Sequence, residues 1–130
     1  ALAVRIRGLQ GGHSGTEIGL GRGNANKLMG RILYGLSQAV LGMGLSSVEG
    51  GSKDNAIPRE CDAVCLFSTE EDRRKAVSLI REMEAEIAQE LREADPGFAV
   101  LTEQTSAQTK MADEDAQALI FALPNTYGNV

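Results

Sequence analysis

The chain has very little of several things, and each shortage excludes a class of function. There is a single histidine, His13, so no second imidazole is present to complete a metal site or a histidine-based relay. Tryptophan is absent, and three phenylalanines and two tyrosines are the only aromatics, so the core must be built from Leu, Ile, Val, Met and Ala. Acidic residues outnumber basic ones, 18 to 13, for a net charge of −5. With no basic stripe and no aromatic-plus-basic interleaving, nucleic acid is excluded as the main partner. No apolar run approaches the roughly 20 residues that span a bilayer, so a membrane partner is excluded too. Only two cysteines occur, Cys61 and Cys65. Four apart on a strand, they share a face but stand too far apart for a disulfide. Zinc would need more ligands than these two thiols and a distant imidazole. They read as buried free thiols, which suits a reducing, cytoplasmic compartment.

What remains is ordinary globular material. At 130 residues and 42% hydrophobic, the chain fits one domain with a modest core. The first segment alternates, with Leu2, Val4 and Ile6 on one face and Ala3, Arg5 and Arg7 on the other. That period of two predicts a half-buried strand whose arginines point to solvent or a partner. A glycine-rich connection from Gly8 to Gly23 follows. Ala25, Leu28, Met29, Ile32, Leu33 and Leu36 then recur at helical spacing, with Asn24 as N-cap and Gly42 and Gly44 as terminators. Leu45–Glu49 reads as a strand, and so does the stretch within Ile57–Phe67, with Cys61, Ala63, Cys65 and Phe67 on one face.

Ser68 and Glu71 have the spacing of a capping box at the start of the clearest helix. Its apolar stripe is Ala76, Ile80, Met83, Ile87 and Leu91; Glu82, Glu84, Glu86, Glu90 and Glu93 read as its solvated face. Asp95-Pro96-Gly97 stops it. Phe98–Glu103 returns as a strand and Asp113–Leu123 as a last helix, ended by Pro124 and Asn125. The predicted order is β-α-β-β-α-β plus a C-terminal helix. That is an α+β, ferredoxin-like sandwich: a four-stranded antiparallel sheet with helices on one face. In it the first and last strands are antiparallel neighbours, so the module's two ends lie close together and it inserts readily into a larger host.

Two loops hold the candidate chemistry. Gly11-Gly12-His13-Ser14-Gly15 clears space around one imidazole. Gly50-Gly51-Ser52-Lys53-Asp54-Asn55-Ala56-Ile57-Pro58-Arg59-Glu60 crowds polar groups into a turn-rich stretch. Asn55, with its amide, and Arg59, with its planar five-donor fork, suit, together with His13, the binding of a carboxylate or an oxyanion. On the residues alone a structural reading stands beside this one: His13 as a turn residue, Asn55 as the source of an Asx-turn. Gly19-Leu20-Gly21-Arg22-Gly23 precedes a helix but lacks the Walker and dinucleotide spacings, and reads as backbone packing. No active site is complete within the chain.

Three motifs in order carry a resemblance to a known family: Gly11-Gly12-His13-Ser14-Gly15, Gly21-Arg22-Gly23-Asn24-Ala25-Asn26-Lys27 and Asn55-Ala56-Ile57-Pro58-Arg59-Glu60. Together they resemble the lid, or dimerisation, domain of the M20 metallopeptidases, in particular the aminoacyl-histidine (Xaa-His) dipeptidase branch. The resemblance runs from Arg7 to about Asn125, and Thr126–Val130 departs from the family pattern. It implies that residues 1–130 are a single lid domain from a larger enzyme. That enzyme's catalytic domain holds two metal ions, usually zinc, through His, Asp and Glu side chains outside this chain, with a Glu as general base.

By the same resemblance, His13 hydrogen-bonds the developing oxyanion, in many members within the neighbouring subunit's site, and Asn55 helps hold the substrate. The implied partners are the protein's own catalytic domain, a second subunit in a homodimer, and a dipeptide. No metal ligand falls in this chain, which is expected to be inactive alone. The substrate-binding arginine of relatives has no counterpart, and Arg59 is not assigned that role. Other readings are a non-catalytic ferredoxin-like ligand-binding or regulatory module, and the lid of another M20 hydrolase such as an aminoacylase or desuccinylase.

Overall fold

Alternation in the first six residues of pattern decides the sheet. In the computed structural model, which describes residues 1–9, 24–50, 59–93, 95–106 and 109–122, β1 (Leu2–Arg7) buries Leu2, Val4 and Ile6 completely. It is paired on both sides. β3 (Cys61–Leu66) and β4 (Ala99–Gln104) both run antiparallel to it, and β2 (Gly44–Gly50) runs antiparallel to β3. The order across the sheet is β2-β3-β1-β4. This is the expected ferredoxin-like arrangement, with the first and last strands as neighbours. Ala3 faces the open side of the sheet yet is buried, because Val64 and Glu103 flank it on the adjacent strands.

The helices cover the other face. α1 (Ala25–Ala39) lies over β1 and β3, α2 (Glu70–Glu90) packs beside it over β4, and α3 (Asp113–Ala122) on its other side over β2. α1 starts where predicted: Asn24 Oδ1 accepts from the backbone N–H of Asn26 (2.9 Å) and of Lys27 (3.2 Å), satisfying two otherwise orphaned donors. Its stripe of Ala25, Met29, Ile32, Leu33 and Leu36 is fully buried against Cys61, Ala63, Cys65, Ile80 and Ile87. Truncating one of the large members of that set to Ala costs about 2–5 kcal/mol. The helix runs to Ala39, and the chain turns at Gly42 in a left-handed conformation (φ +88°). Gly44 belongs to β2 rather than to the helix end.

Two expectations need correcting. The cap of α2 is Thr69, one residue after Ser68. Thr69 has the extended backbone, its Oγ1 accepts from Asp72 N–H (3.0 Å), and its carbonyl accepts the first helical bond from Arg73. Glu84, moreover, is not merely a solvated side chain. Val100 N–H donates to Glu84 Oε2 (2.7 Å) and Arg81 Nη2 donates to Val100 O (2.5 Å). These two side chains satisfy the outer N–H and C=O of the edge strand β4 at Val100, which would otherwise be open to pairing. On the opposite edge, Met111 N–H donates to Leu45 O (2.8 Å). Between the helices, Arg31 makes a two-pronged contact with Glu90 (2.9 and 2.8 Å), which holds the Glu90 carboxyl below the ordinary range. The pair is exposed and contributes at most about 1 kcal/mol.

Gly8 ends β1 with φ +84° and touches Gly97 in the Asp95-Pro96-Gly97 turn that follows α2. A Cβ at Gly8 would fall 1.9 Å from Gly97 O. Only glycine fits, for both conformation and space.

Two predictions follow from this packing. Gly8→Ala is expected to lower stability in urea by at least about 1–3 kcal/mol from backbone strain alone. Gly97→Ala, whose Cβ would meet Gly8 O at 3.3 Å, should cost less; equal losses would contradict this packing. Burial pushes both thiols, Cys61 and Cys65, from 9.0 up to about 12. Both should resist an aromatic disulfide reagent at pH 8 until the protein is unfolded. Between 9.0 and about 12 the unfolded chain ionises its thiols while the folded one does not, so stability should fall across that window. A Cys61→Ala/Cys65→Ala variant should lose less over the same range in urea titrations.

Candidate functional site

The topology gathers one end of the sheet. β1 and β2 are both antiparallel to β3, so they run parallel to each other and finish where β3 begins. Leu9, Gly50 and Arg59 therefore sit at the same end. The start of α1 joins them, since Asn26 is packed against Gly50. Residues 10–23 run from Leu9 to Asn24, and residues 51–58 run from Gly50 to Arg59. The first segment contains His13 and the second Asn55. Both residues lie outside the described residues; what the structure brings together is the four points from which their segments depart and to which they return.

The two arginines of β1, Arg5 and Arg7, are already engaged. Arg7 donates from Nη1 and Nη2 to the Asp62 carboxylate (2.6 and 3.2 Å) and lies 3.8 Å from Glu60. The hydrogen bond to Asp62, ahead of the charges of Asp62 and Glu60, raises the guanidinium above its usual value. Arg5 pairs with Glu103 at 2.6 Å. The arginines that alternate along β1 thus meet carboxylates on both neighbouring strands across the open sheet face. Arg7 has its fork filled and is a poor receptor for a substrate carboxylate.

Among the described residues, no three His, Cys, Asp or Glu side chains converge as a metal ion requires. The donors among the described residues do not make a zinc centre. Two cavities lined by described residues lie elsewhere. One of about 290 Å³, lined by Val40, Met43, Leu45, Lys110, Ala116 and Ile120, sits at the far end of α1. Its lysine is paired with Asp113 at 3.2 Å. A more open groove between α1 and α3 is bordered by Tyr34, Ser37, Gln117 and Phe121. Neither carries a nucleophile with an adjacent base.

Sequence reasoning missed the contact between Asn26 and Gly50. Asn26 was visible in Gly-Arg-Gly-Asn-Ala-Asn-Lys, but its neighbour lies 24 residues away, and only the crossover from β1 through α1 to β2 brings the two together.

Comparison with known proteins agrees with the motifs. A family model described as a peptidase dimerisation domain matches residues 4–95. The cytosol non-specific dipeptidase of Escherichia coli (strain K12) is 38% identical over 125 residues, 95% of this chain and 24% of that protein. The crystal structure of aminoacylhistidine dipeptidase from Vibrio alginolyticus superposes with a TM-score of 0.84 at 36% identity, covering 95% of this chain and 25% of that one. The chain thus spans about a quarter of the length of these relatives. The matched span, the shared fold and the ordered motifs agree: the chain belongs to the M20 peptidase dimerisation domain family.

Proposed function

We propose that this chain is the lid of an Xaa-His-type dipeptidase, a single domain over residues 1–130 that closes on a separate catalytic domain and pairs subunits. What supports the reading is that the described residues flanking the His13 and Asn55 segments sit together at one end of the sheet, in a member of a peptidase domain family. An imidazole N–H strengthens its hydrogen bond as a carbonyl oxygen gains charge, and so favours the transition state over the substrate. That is the role assigned to His13, in its own or the neighbouring subunit's site. Asn55 offers both a donor and an acceptor to the peptide and is assigned to holding it. The metal ions, zinc by family resemblance, belong to the catalytic domain and supply electrophilic activation there. The name of the E. coli relative supports a cytoplasmic setting, and no helix among the described residues is long and apolar enough to cross a membrane.

Pairing of subunits has a candidate surface. Tyr34 on α1 is 58% exposed and Phe121 on α3 is 78% exposed, and both border the open groove between these helices. The sheet edges are partly occupied, at Val100 by Arg81 and Glu84 and at Leu45 by Met111.

In the full-length enzyme, His13→Ala should lower kcat about 10²–10³-fold with little change in KM, the loss typical of a missing oxyanion donor. Asn55→Ala should raise KM. The isolated chain with an Xaa-His dipeptide and added zinc or manganese should hydrolyse nothing beyond its His13→Ala control. A full-length His13→Ala enzyme with unchanged kcat would sink the assignment. A preference for N-acyl amino acids over Xaa-His dipeptides would move the protein to another M20 branch. Sedimentation of the full-length enzyme should give a dimer, and Tyr34→Ser/Phe121→Ser should shift it towards monomer.

A further inference from the structure

Asn26 occupies the first turn of α1. Its backbone N–H is satisfied by the Asn24 cap. Its carboxamide is pressed against the last residue of β2: a Cβ on Gly50 would stand 2.7 Å from Asn26 Oδ1 and 2.9 Å from Nδ2. Oδ1 is buried and accepts no hydrogen bond among the described residues. For folding alone this is a poor choice. Asparagine is a weak helix former, and a buried carbonyl without a donor destabilises the folded state. Gly50, the last residue of β2, complements it: without a Cβ it permits the close approach of the carboxamide.

The place of this contact gives it meaning. Asn24 and Asn26 follow the segment that contains His13, and Gly50 precedes the segment that contains Asn55. The carboxamide is wedged between the return point of one and the departure point of the other. We propose that Asn26 is a positioning residue: its packing against Gly50 fixes the end of β2 against the start of α1, the two described points next to which the segments containing Asn55 and His13 join the fold. The inference rests on the lid function proposed above. Asn26 itself touches no reacting atom in this scheme.

A double-mutant cycle in the full-length enzyme tests it. Gly50→Ala drives a methyl into the carboxamide, and Asn26→Ala removes the wedge. Each alone should lower kcat/KM about tenfold, with KM rising, because small displacements of positioning groups carry large kinetic penalties. In Asn26→Ala/Gly50→Ala the new methyl fills the vacated space, and kcat/KM should return to within about threefold of the parent. If Gly50→Ala does not fold, Asn26→Ser, which shortens the wedge and keeps the helix start, should show the same rise in KM. A purely structural role would lower Tm and the yield of active enzyme but leave KM unchanged. Singles within twofold of the parent, or losses that simply multiply in the double variant, would overturn the proposal. His13→Ala and Asn55→Ala are measured alongside. If they impair the enzyme and the Asn26 and Gly50 variants do not, only the positioning role falls. If His13→Ala and Asn55→Ala are silent, both readings fall.

Discussion

Antiparallel pairing of β1 with a strand on each side is the constraint on which the rest of the structure depends. Leu2, Val4 and Ile6 all point beneath α1, and a slip of one residue against β3 or β4 would turn them out and bring Arg5 and Arg7 into the core. The hydrophobic penalty for that slip pins the register of three strands at once. It also sets the open face, where Arg5 and Arg7 meet Asp62, Glu103 and Glu60. Those surface pairs add little energy individually. Their value is in opposing the same slip, since charges on the wrong side would be buried.

From that register the composition of one end of the sheet follows by geometry. β2 lies beyond β3, antiparallel to it, and therefore ends beside β1. The crossover through α1 returns its N-terminus to the same place. Three close approaches hold this end: Gly8 on Gly97, Asn24 on the first turn of α1, and Asn26 on Gly50. Each uses a residue chosen for the absence of bulk or for a short polar side chain. None adds much to the core, which is carried by α1, α2 and the inner face of the sheet. A lid domain needs this division. Stability comes from one region, and the segments containing His13 and Asn55 are joined to the fold at a different one.

Much of this was legible in the residues. The period-two strand at Leu2–Arg7, the helical stripes of Ala25–Leu36 and Ala76–Leu91, and the Asn24 cap each express a local preference that burial reinforces. The capping-box spacing places the start of α2 one residue early, because Ser68 and Thr69 are both competent caps and only the backbone conformation chooses Thr69. Periodicity makes the glutamates of α2 a solvated face. Arg31 claims Glu90 and Val100 claims Glu84 only because α2 lies beside α1 and along β4. Periodicity identifies which face of a helix is polar, but not which edge strand that face will meet.

The chain by itself determined its elements, its buried face and the three ordered motifs that identify its family, since helix caps, hydrophobic period and glycine placement act over a few residues. Only the tertiary structure decided that the segments carrying His13 and Asn55 depart from one end of the sheet. Forty-two positions separate those residues in sequence. Their segments share an end because β1 and β2 are both paired, directly, to β3, and strand pairing is a long-range choice made by burying both faces of the helix–sheet interface together. The same packing joined Asn26 to Gly50, a contact with no local signature, because it exists only where the end of a strand meets the start of a helix that is covalently attached to a different strand.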